Sequence, residues 1–220
     1  MFLSRRLTLE YAMIEYPSMQ NSSKAPRKEC IVFDKLDGSN FRAKWTEKKG
    51  FNVFGTRTQL IDETSDYWGQ VVTLFRNTIE EPLAKILGKE CRNQREAIVF
   101  GEFFGENSFA GRHEDEPHKI VPFDILVGHK LRKFIRPQDF IKLLEGKVEI
   151  PRVIARTNLN DSLIQSVRKN EFDLFEGVIC KGTQPVGNAS GGIWMCKIKT
   201  QSYLDKLKER FVDDWQKYAE

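Results

Sequence analysis

The residues with the clearest chemical potential lie in the stretch Phe33-Asp34-Lys35-Leu36-Asp37-Gly38-Ser39-Asn40. The apolar, partly β-branched run Cys30 to Phe33 leads into it and is typical of a buried strand. Side chains alternate along an extended segment, so we expect Lys35 and Asp37 on one face and Leu36 on the other. An amine at the edge of an apolar sheet loses solvation and is more easily deprotonated, and a neutral lysine can attack a carbonyl or phosphoryl group. Lys-x-Asp-Gly alone also fits an ordinary polar turn after a strand, because short motifs often match by chance.

Five more charged side chains end or interrupt apolar segments elsewhere in the chain: Arg57, Glu102, Glu176, Lys197 and Lys199. Burying a carboxylate costs free energy unless it is paired or hydrogen-bonded, so each acid lies at a wet strand end or is held there for a purpose. If all five converge on Lys35, they make a pocket of four cations and two carboxylates. Cations neutralise phosphate oxygens, and carboxylates hold Mg²⁺ or a ribose hydroxyl, so such a pocket suits phosphoryl chemistry on a nucleotide.

The strands that must position these residues follow from runs of apolar side chains. They are predicted at 30–33, 41–45, 51–56, 97–104, 120–127, 174–180 and 193–199. Both glutamates are embedded in predicted strands, and Lys197 and Lys199 share one face of the last strand. Gly38 to Asn40 is predicted to turn the chain, and Lys48 to Gly50 is predicted to join a hairpin.

Helices are predicted at 66–79, 137–145, 161–168 and 202–218. Ser65 is placed to cap the first helix, and Pro82 ends that helix or starts another. The last helix has one apolar side, made by Leu204, Leu207, Phe211 and Trp215. No internal repeat or long linker divides the chain, so we expect residues 1–220 to form a single α+β domain.

The composition indicates an intracellular globular protein. Hydrophobic residues are 40% and charged residues 30% of the chain, which supplies enough apolar material for a buried core. The net charge of +4 is compatible with a polyanionic partner. The four cysteines are scattered without a Cys-x-x-Cys pair, which argues against a zinc site or a disulfide framework. No segment is typical of a signal peptide or of a bilayer span, so we expect a cytoplasmic protein of a cell or an infected host, with nucleus or organelle left open, and no membrane partner.

The segment Lys35-Leu36-Asp37-Gly38 resembles the signature of the covalent nucleotidyltransferases, which are the ATP-dependent DNA and RNA ligases and the messenger-RNA capping enzymes. Later segments are similar to the further motifs of that family, in the same order: Thr56-Arg57, Gly101-Glu102, Phe123-Asp124-Ile125, Glu176-Gly177-Val178 and Lys197-Ile198-Lys199. Six ordered motifs are far more specific than one, and the chain has no Walker A loop. Ser39-Asn40 and the upstream Tyr16-Pro17-Ser18 most resemble the RNA ligase 2 branch, which includes the kinetoplastid editing ligases.

The resemblance implies a role for each matched residue in handling ATP. Lys35 attacks the α-phosphate, expels pyrophosphate and holds AMP through a phosphoamide bond. Lys197 and Lys199 contact the α-phosphate and offset its developing charge. Glu102 binds the ribose, and Phe123 stacks on the adenine.

Four more roles are implied in the same way. Asp34 corresponds to an acidic residue beside the lysine and is expected to contact the nucleotide. Arg57 and Asn40 position the ribose-phosphate or the reacting strand end. Glu176 helps to hold Mg²⁺ through water. The role of Asp37 in the later steps stays open, because some relatives have histidine there.

The resemblance further implies a nucleotidyltransferase adenylation-domain fold, with antiparallel sheets flanked by helices around a nucleotide cleft. The implied function is an ATP-dependent RNA ligase, which transfers AMP to an RNA 5′-phosphate and seals it to a 3′-hydroxyl. The alternatives are an ATP-dependent DNA ligase, a capping-type guanylyltransferase, and a non-catalytic nucleotide- or RNA-binding module. Relatives usually carry a C-terminal domain, whereas only one helix is expected after Lys199. A minimal ligase, a fragment, or a subunit whose protein partner supplies nucleic-acid binding are all compatible with that difference.

Two other features are interpreted as loops. His113 and His118 flank the acidic segment Glu114 to Pro117. We expect a solvated loop there rather than a metal site, because a proline disfavours helical zinc-ligand spacing. Gly187 to Gly192 is expected to be a flexible connection rather than a phosphate cradle, since no helix follows it.

Overall fold

The computed structural model describes residues 13–107, 113–128, 132–185, 192–212 and 215–217. Strands β1 to β11 lie at Gln20–Asn21, Glu29–Lys35, Ser39–Thr46, Gly50–Gly55, Leu60–Ile61, Glu96–Phe104, Lys119–Val127, Lys133–Phe134, Val153–Asn158, Gly177–Pro185 and Ile193–Lys199. Helices α1 to α5 lie at Asp66–Thr78, Glu80–Glu90, Pro137–Leu144, Asp161–Arg168 and Gln201–Arg210. The loop expected at 187–192 falls outside the described residues except for Gly192.

The strands form two sheets. One sheet has five strands in the order β1-β11-β10-β2-β9, and the other has six strands in the order β5-β4-β3-β6-β7-β8. The described strand pairs are antiparallel, apart from the parallel contact of the two-residue strand β1 with β11. The predicted α+β fold with antiparallel sheets is therefore confirmed, with one short parallel pair at a sheet edge.

Helices cover both sheets with apolar side chains. Val71, Val72 and Phe75 of α1 are fully buried against the six-stranded sheet, together with apolar residues of α2 and α3. On the five-stranded sheet, Leu163 and Val167 of α4 pack against buried residues of β2, β10 and β11. Burying a large aliphatic side chain contributes about 1.5–3 kcal/mol to the stability of the fold. These contacts therefore stabilise each sheet against its helices.

The chain crosses from one sheet to the other immediately after Lys35. Strand β2 of the five-stranded sheet ends at Lys35, and β3 of the six-stranded sheet begins at Ser39. Ser39 and Asn40 therefore belong to a strand, and the turn predicted at 38–40 lies at 36–38 instead. Gly38 is needed in this link because a Cβ there would meet the backbone oxygen of Phe103 and lie 2.7 Å from the Cβ of Phe104.

Two further predicted boundaries differ clearly from the observed ones. Strand β10 begins at Gly177 rather than at 174, so Glu176 precedes the strand instead of being embedded in it. A Cβ at Gly177 would collide with the backbone oxygen of Ile198. The close pairing of β10 with β11 therefore begins at the residue that has no side chain. Helix α5 ends at Arg210 rather than at 218, because Phe211 leaves the helical region with φ −122° and ψ 48°.

The helix termini otherwise agree closely with expectation. Helix α1 starts after Ser65, but the Ser65 hydroxyl accepts from the backbone N–H of Asp62 and makes no capping bond. Pro82 lies in the first turn of α2, so of the two predicted alternatives the proline starts another helix. None of the helices in the described part of the chain combines the length and apolarity that a membrane crossing needs.

Candidate active site

A cavity of about 510 Å³ opens between the two sheets where the chain crosses over. This volume lies within the range of small-molecule sites, about 300–1,000 Å³. The cavity wall includes every residue predicted for the site: Asp34, Lys35, Asn40, Arg57, Glu102, Phe123, Glu176, Lys197 and Lys199. The structure therefore brings the side chains of the predicted site together around one cavity.

Glu176 holds two of the predicted lysines. Its Oε2 accepts a hydrogen bond of 2.7 Å from Lys35 Nζ, and its Oε1 lies 2.8 Å from Lys199 Nζ. The strand register explains the arrangement, because Gly177 at the start of the central strand β10 is paired with Lys35 on one side and with Lys199 on the other. The Glu176 carboxylate is 4% exposed and the Lys199 side chain 5%, so their ion pair is shielded from water, whereas the Lys35 side chain is 21% exposed.

The prediction that Lys35 is easily deprotonated is wrong. Burial lowers the pKa of Lys35, but the neighbouring acids, with Glu176 contributing most, outweigh burial and raise the pKa above its ordinary value. Lys35 is therefore an ammonium ion before substrate binds. Its conversion to a nucleophile requires that the proton leave, and Glu176 is the acceptor in contact with it.

Lys197 and Lys199, which also line the cavity, have pKa values that burial shifts in the expected direction. Burial lowers the pKa of Lys197, and the neighbouring charges of Lys199 and Lys35 lower it further. Burial also lowers the pKa of Lys199, although Glu176 opposes the shift. An anion that enters the cavity offsets the repulsion between these neighbouring cations. The side of the cavity with the lysines therefore favours a phosphate.

Glu102 and Asn40 face each other on the opposite wall, because they are register partners in strands β6 and β3. Burial raises the pKa of Glu102 to about 8; the charge of Lys35 opposes this shift, and those of Glu176 and Asp37 add to it. The buried Oδ1 of Asn40 has no hydrogen-bond partner among the described residues. A protonated carboxyl beside an orphaned amide oxygen is a site for a polar ligand that brings its own hydroxyl groups.

Phe123 is fixed by a buried polar network that the sequence reasoning missed. Lys181 Nζ donates to the backbone oxygen of Phe123 at 2.6 Å and to Asp124 Oδ2 at 2.8 Å. The Tyr16 hydroxyl donates to the same carboxylate at 2.6 Å, and the Tyr16 ring meets Phe123 edge-on with centroids 5.0 Å apart. The sequence does contain a signal for Lys181, because this lysine interrupts an apolar strand as Glu102 does.

Arg57 and Asp34 occupy less central positions. Arg57 is exposed at the cavity wall, with Nη2 3.5 Å from Ser18 Oγ. The Asp34 carboxylate lies 3.3 Å from Arg152 Nη2, so its charge is already paired. Burial raises the pKa of Asp34, and the Arg152 charge reduces that shift. Asp34 thus lines the cavity, but its carboxylate is turned to Arg152.

The expectation of a solvated histidine loop is wrong for His113. Its side chain is only 6% exposed, its Nε2 lies 3.3 Å from Asp37 Oδ2, and its ring packs 4.4 Å from the ring of Phe175. Tyr203, which was not predicted as a site residue, donates from its hydroxyl to Asp37 Oδ1 at 2.6 Å. Tyr203 falls four residues before Leu207 on the buried side of α5, a spacing that predicts a buried side chain but gives no sign of a role in the site.

Comparison with known proteins assigns the chain to a family. The family model described as RNA ligase matches residues 28–199, which include all the lysines and carboxylates of the cavity. The chain belongs to the RNA ligase family. Comparison with curated protein sequences gave no significant match to this RNA ligase family member.

Solved structures of a Naegleria gruberi RNA ligase share the fold of this family member. The structure with PPi is 17% identical, with a TM-score of 0.66 over 90% of this chain and 59% of the other. Variants with ATP and Mn (17% identical) and with AMP and Mn (16%) each have a TM-score of 0.65 over 88% of this chain and 58% of the other. The chain thus spans less than two thirds of the length of these ligases.

The cavity of this RNA ligase family member fits a nucleotide better than a metal ion alone. Its orphaned Asn40 oxygen suits a hydroxyl group, and its crowded lysines suit a phosphate. No group of three or more metal-ligating side chains is found within the described ranges. Mg²⁺ keeps several waters and binds through one or two carboxylates plus substrate phosphates, so the residues fit an ion that arrives with the nucleotide.

Proposed function

We propose that this chain catalyses nucleotidyl transfer in an ATP-dependent RNA ligase. The observation that carries the proposal is the position of Lys35 at the crossing between the sheets. Its Nζ is hydrogen-bonded to Glu176, in a cavity that Lys197 and Lys199 also line. A purely structural ion pair needs one cation for one anion. Here Lys35 and Lys199 share the Glu176 carboxylate, and Lys197 lines the same cavity without an ion pair to that carboxylate.

The first step transfers AMP from ATP to Lys35. Lys35 Nζ passes a proton to Glu176 Oε2, its hydrogen-bond acceptor at 2.7 Å, and its lone pair attacks the α-phosphorus. A phosphorus–nitrogen bond forms while the bond to the bridging oxygen breaks, and that electron pair leaves with pyrophosphate. Lys197 and Lys199 stabilise the negative charge that develops on the α-phosphate oxygens.

The opposite wall of the cavity orients the nucleoside. A ribose hydroxyl donates to the orphaned Oδ1 of Asn40 and accepts from the protonated carboxyl of Glu102, whose pKa is raised to about 8 by burial. Phe123 provides an aromatic face for adenine. The hydrogen bond from Lys181 to its backbone oxygen keeps Phe123 in position. Holding both ends of the nucleotide positions the α-phosphate next to Lys35, which is worth several orders of magnitude in rate.

Mg²⁺ is part of the proposal as a companion of the nucleotide. Glu176 would hold it through water, since both of its carboxylate oxygens already contact lysines. When bound, the ion supplies positive charge that neutralises the phosphate oxygens.

The later steps use the RNA ends. An oxygen of an RNA 5′-phosphate attacks the phosphorus of the Lys35 adduct and breaks the phosphorus–nitrogen bond, so that AMP moves to the RNA. A 3′-hydroxyl then attacks the 5′-phosphorus, AMP leaves, and a phosphodiester bond closes the break. Arg57 supports an RNA end because it is exposed at the cavity wall. RNA rather than DNA is favoured by the family match and by the Naegleria gruberi ligases.

The test is a sealing assay with duplexes that carry one nick in an RNA strand or a DNA strand, supplied with ATP or GTP and Mg²⁺. We expect sealing of RNA with ATP, and loss of sealing with Lys35→Arg, which keeps the charge but removes the nucleophile. Lys85→Arg is the matched control, because Lys85 is an exposed lysine paired with Glu81 on α2. Sealing of DNA only, transfer from GTP only, or no reaction with either duplex would overturn the proposal.

A further inference from the structure

A buried cluster of three side chains lies beside the lysine link and has no part in the proposed steps. Asp37 is its centre, and only 3% of the residue is exposed. The Tyr203 hydroxyl donates to Asp37 Oδ1 at 2.6 Å, and His113 Nε2 lies 3.3 Å from Asp37 Oδ2. Each carboxylate oxygen is thus contacted by a side chain that is distant in sequence, at separations of 166 and 76 residues.

The cluster connects directly to the reacting residues. Asp37 lines the cavity with Lys35 and Glu102. The ring of Tyr203 lies under the ammonium group of Lys199, with Nζ 4.7 Å from the ring centroid. A carboxylate that can rotate would change the field at all three groups, so its orientation matters to the lysine that must give up a proton.

We propose that His113 and Tyr203 are positioning residues that hold the Asp37 carboxylate in one orientation toward Lys35, and that ligation depends on them through Asp37. The inference rests on the proposed function, because it concerns the same site. Removing either residue leaves the nucleotide wall of Asn40, Glu102 and Phe123 in place. The expected loss is therefore in the rate at saturating ATP and not in the KM for ATP.

The geometry of His113 makes a sharp substitution test possible. Its second ring nitrogen, Nδ1, lies 2.8 Å from Glu116 Oε1, so the ring bridges two carboxylates. Glutamine reaches the place of Nε2 and keeps a donor for Asp37, whereas asparagine reaches the place of Nδ1 and keeps a donor for Glu116. The backbone of His113 has a positive φ of 43°, which asparagine tolerates better than glutamine. A purely conformational role therefore predicts that asparagine is the better replacement, and the proposal predicts the reverse.

The experiment compares single-turnover rates of lysyl-AMP formation and of RNA sealing for His113→Gln and His113→Asn. We expect His113→Asn to lose about 10-fold or more in at least one step, and His113→Gln to lose markedly less. His118→Gln is the control from the same segment, because His118 Nε2 contacts the backbone oxygen of Glu106 and its ring packs on Phe103. Equal rates for the two His113 variants, or a faster His113→Asn, would overturn the inference.

A double-mutant cycle tests whether Tyr203 acts through Asp37. Tyr203→Phe keeps the ring under Lys199 and removes only the hydroxyl. We expect Tyr203→Phe to slow the reaction in the parent chain and to have no further effect when Asp37 is already asparagine. Additive losses in the double variant would mean that Tyr203 acts by another route and would contradict the inference.

The contact itself is measured without catalysis, so failure of the proposed function is distinguishable from failure of this inference. Imidazole NMR signals of His113 are expected to shift in Asp37→Asn, whereas those of His118 stay in place. If the parent chain forms no lysyl-AMP but the His113 signals shift, the proposed function has failed and the positioning contact stands. If the His113 signals do not respond to Asp37→Asn, the positioning contact is refuted whatever the activity.

Discussion

Burial and neighbouring charges shift the pKa values of individual residues of the site. Lys35 is kept charged by carboxylates that outweigh its burial, so its pKa is raised. Glu102 is kept neutral at pH 7 by burial, which raises its pKa to about 8. In the proposed reaction Lys35 must lose its proton, whereas Glu102 uses its proton to donate to the ribose.

The protonation of Glu102 predicts a specific pH dependence of stability. Between its ordinary pKa of 4.5 and its raised pKa of about 8, the folded chain keeps a proton that the unfolded chain has lost. Stability therefore falls as pH rises through this window. Glu102→Gln has no proton to lose, so its free energy of unfolding should rise relative to the parent chain from about pH 5 to about pH 8 and then level off.

Urea unfolding at a series of pH values measures this difference. Glu81→Gln is the control, since the hydrogen bond from Lys85 lowers the pKa of the exposed Glu81 and places its titration below the window. A constant difference between Glu102→Gln and the parent chain from about pH 5 to about pH 8 would show that Glu102 ionises normally in the folded chain.

Among the elements, the pairing of β10 with β2 and β11 does most to build the site. Gly177 at the head of β10 pairs with Lys35 and with Lys199, so one backbone position fixes the spacing of the two lysines that Glu176 joins. The approach of β11 leaves no room for a side chain there, because a Cβ would collide with the Ile198 oxygen and lie 2.7 Å from the Cα of Lys199.

Gly177→Ala is therefore expected to destabilise the fold and to separate Glu176 from Lys199. Overpacking of this kind costs about 1–3 kcal/mol. Gly88→Ala is the matched control, because a Cβ at Gly88 in α2 meets nothing within 4 Å and the helix gains roughly 0.5–1 kcal/mol from the change. Chemical denaturation of both variants checks the signs, and a Gly177→Ala variant as stable as the parent chain would contradict the packing argument.

Most elements could be predicted from the sequence because their apolar patterns are local. The runs around Lys35, Glu102 and Lys197 became strands, and the helix at 161–168 was predicted at its observed bounds. The start of β10 could not be predicted, because Leu174 and Phe175 have the same apolar character as a strand. Only the close approach of the neighbouring strand sets the boundary at Gly177.

At the scale of the whole molecule, two sheets are joined next to the candidate nucleophile. The three-residue link after Lys35 connects the five-stranded sheet, which carries the lysines, to the six-stranded sheet, which carries Glu102 and Phe123. A nucleotide in the cavity therefore contacts both sheets, and the network of Lys181 with Asp124 already ties them together.

Only some of the residues of the site could be predicted from the sequence, because the others are brought to it by long-range contacts. The charged residues Lys35, Arg57, Glu102, Glu176, Lys197 and Lys199 could be found by their places at the ends of or within apolar segments, whereas Asp34, Asn40 and Phe123 were predicted from the family resemblance. Tyr203 and His113 could not, since their importance arises from contact with Asp37, 166 and 76 residues away in the chain. Nothing local distinguishes a histidine in an acidic loop from one that packs against a buried carboxylate.

Mapping the site of adenylation tests most directly whether Lys35 is the nucleophile. The chain is incubated with ATP and Mg²⁺, and its peptides are analysed by mass spectrometry under conditions that preserve phosphoamide bonds, with Lys35→Arg and Lys85→Arg in parallel. We predict one adenylyl group per chain, located on Lys35, present in Lys85→Arg and missing in Lys35→Arg, with one pyrophosphate released for each group bound. No adduct in the parent chain, or an adduct that persists in Lys35→Arg, would contradict the assignment of Lys35 as the nucleophile.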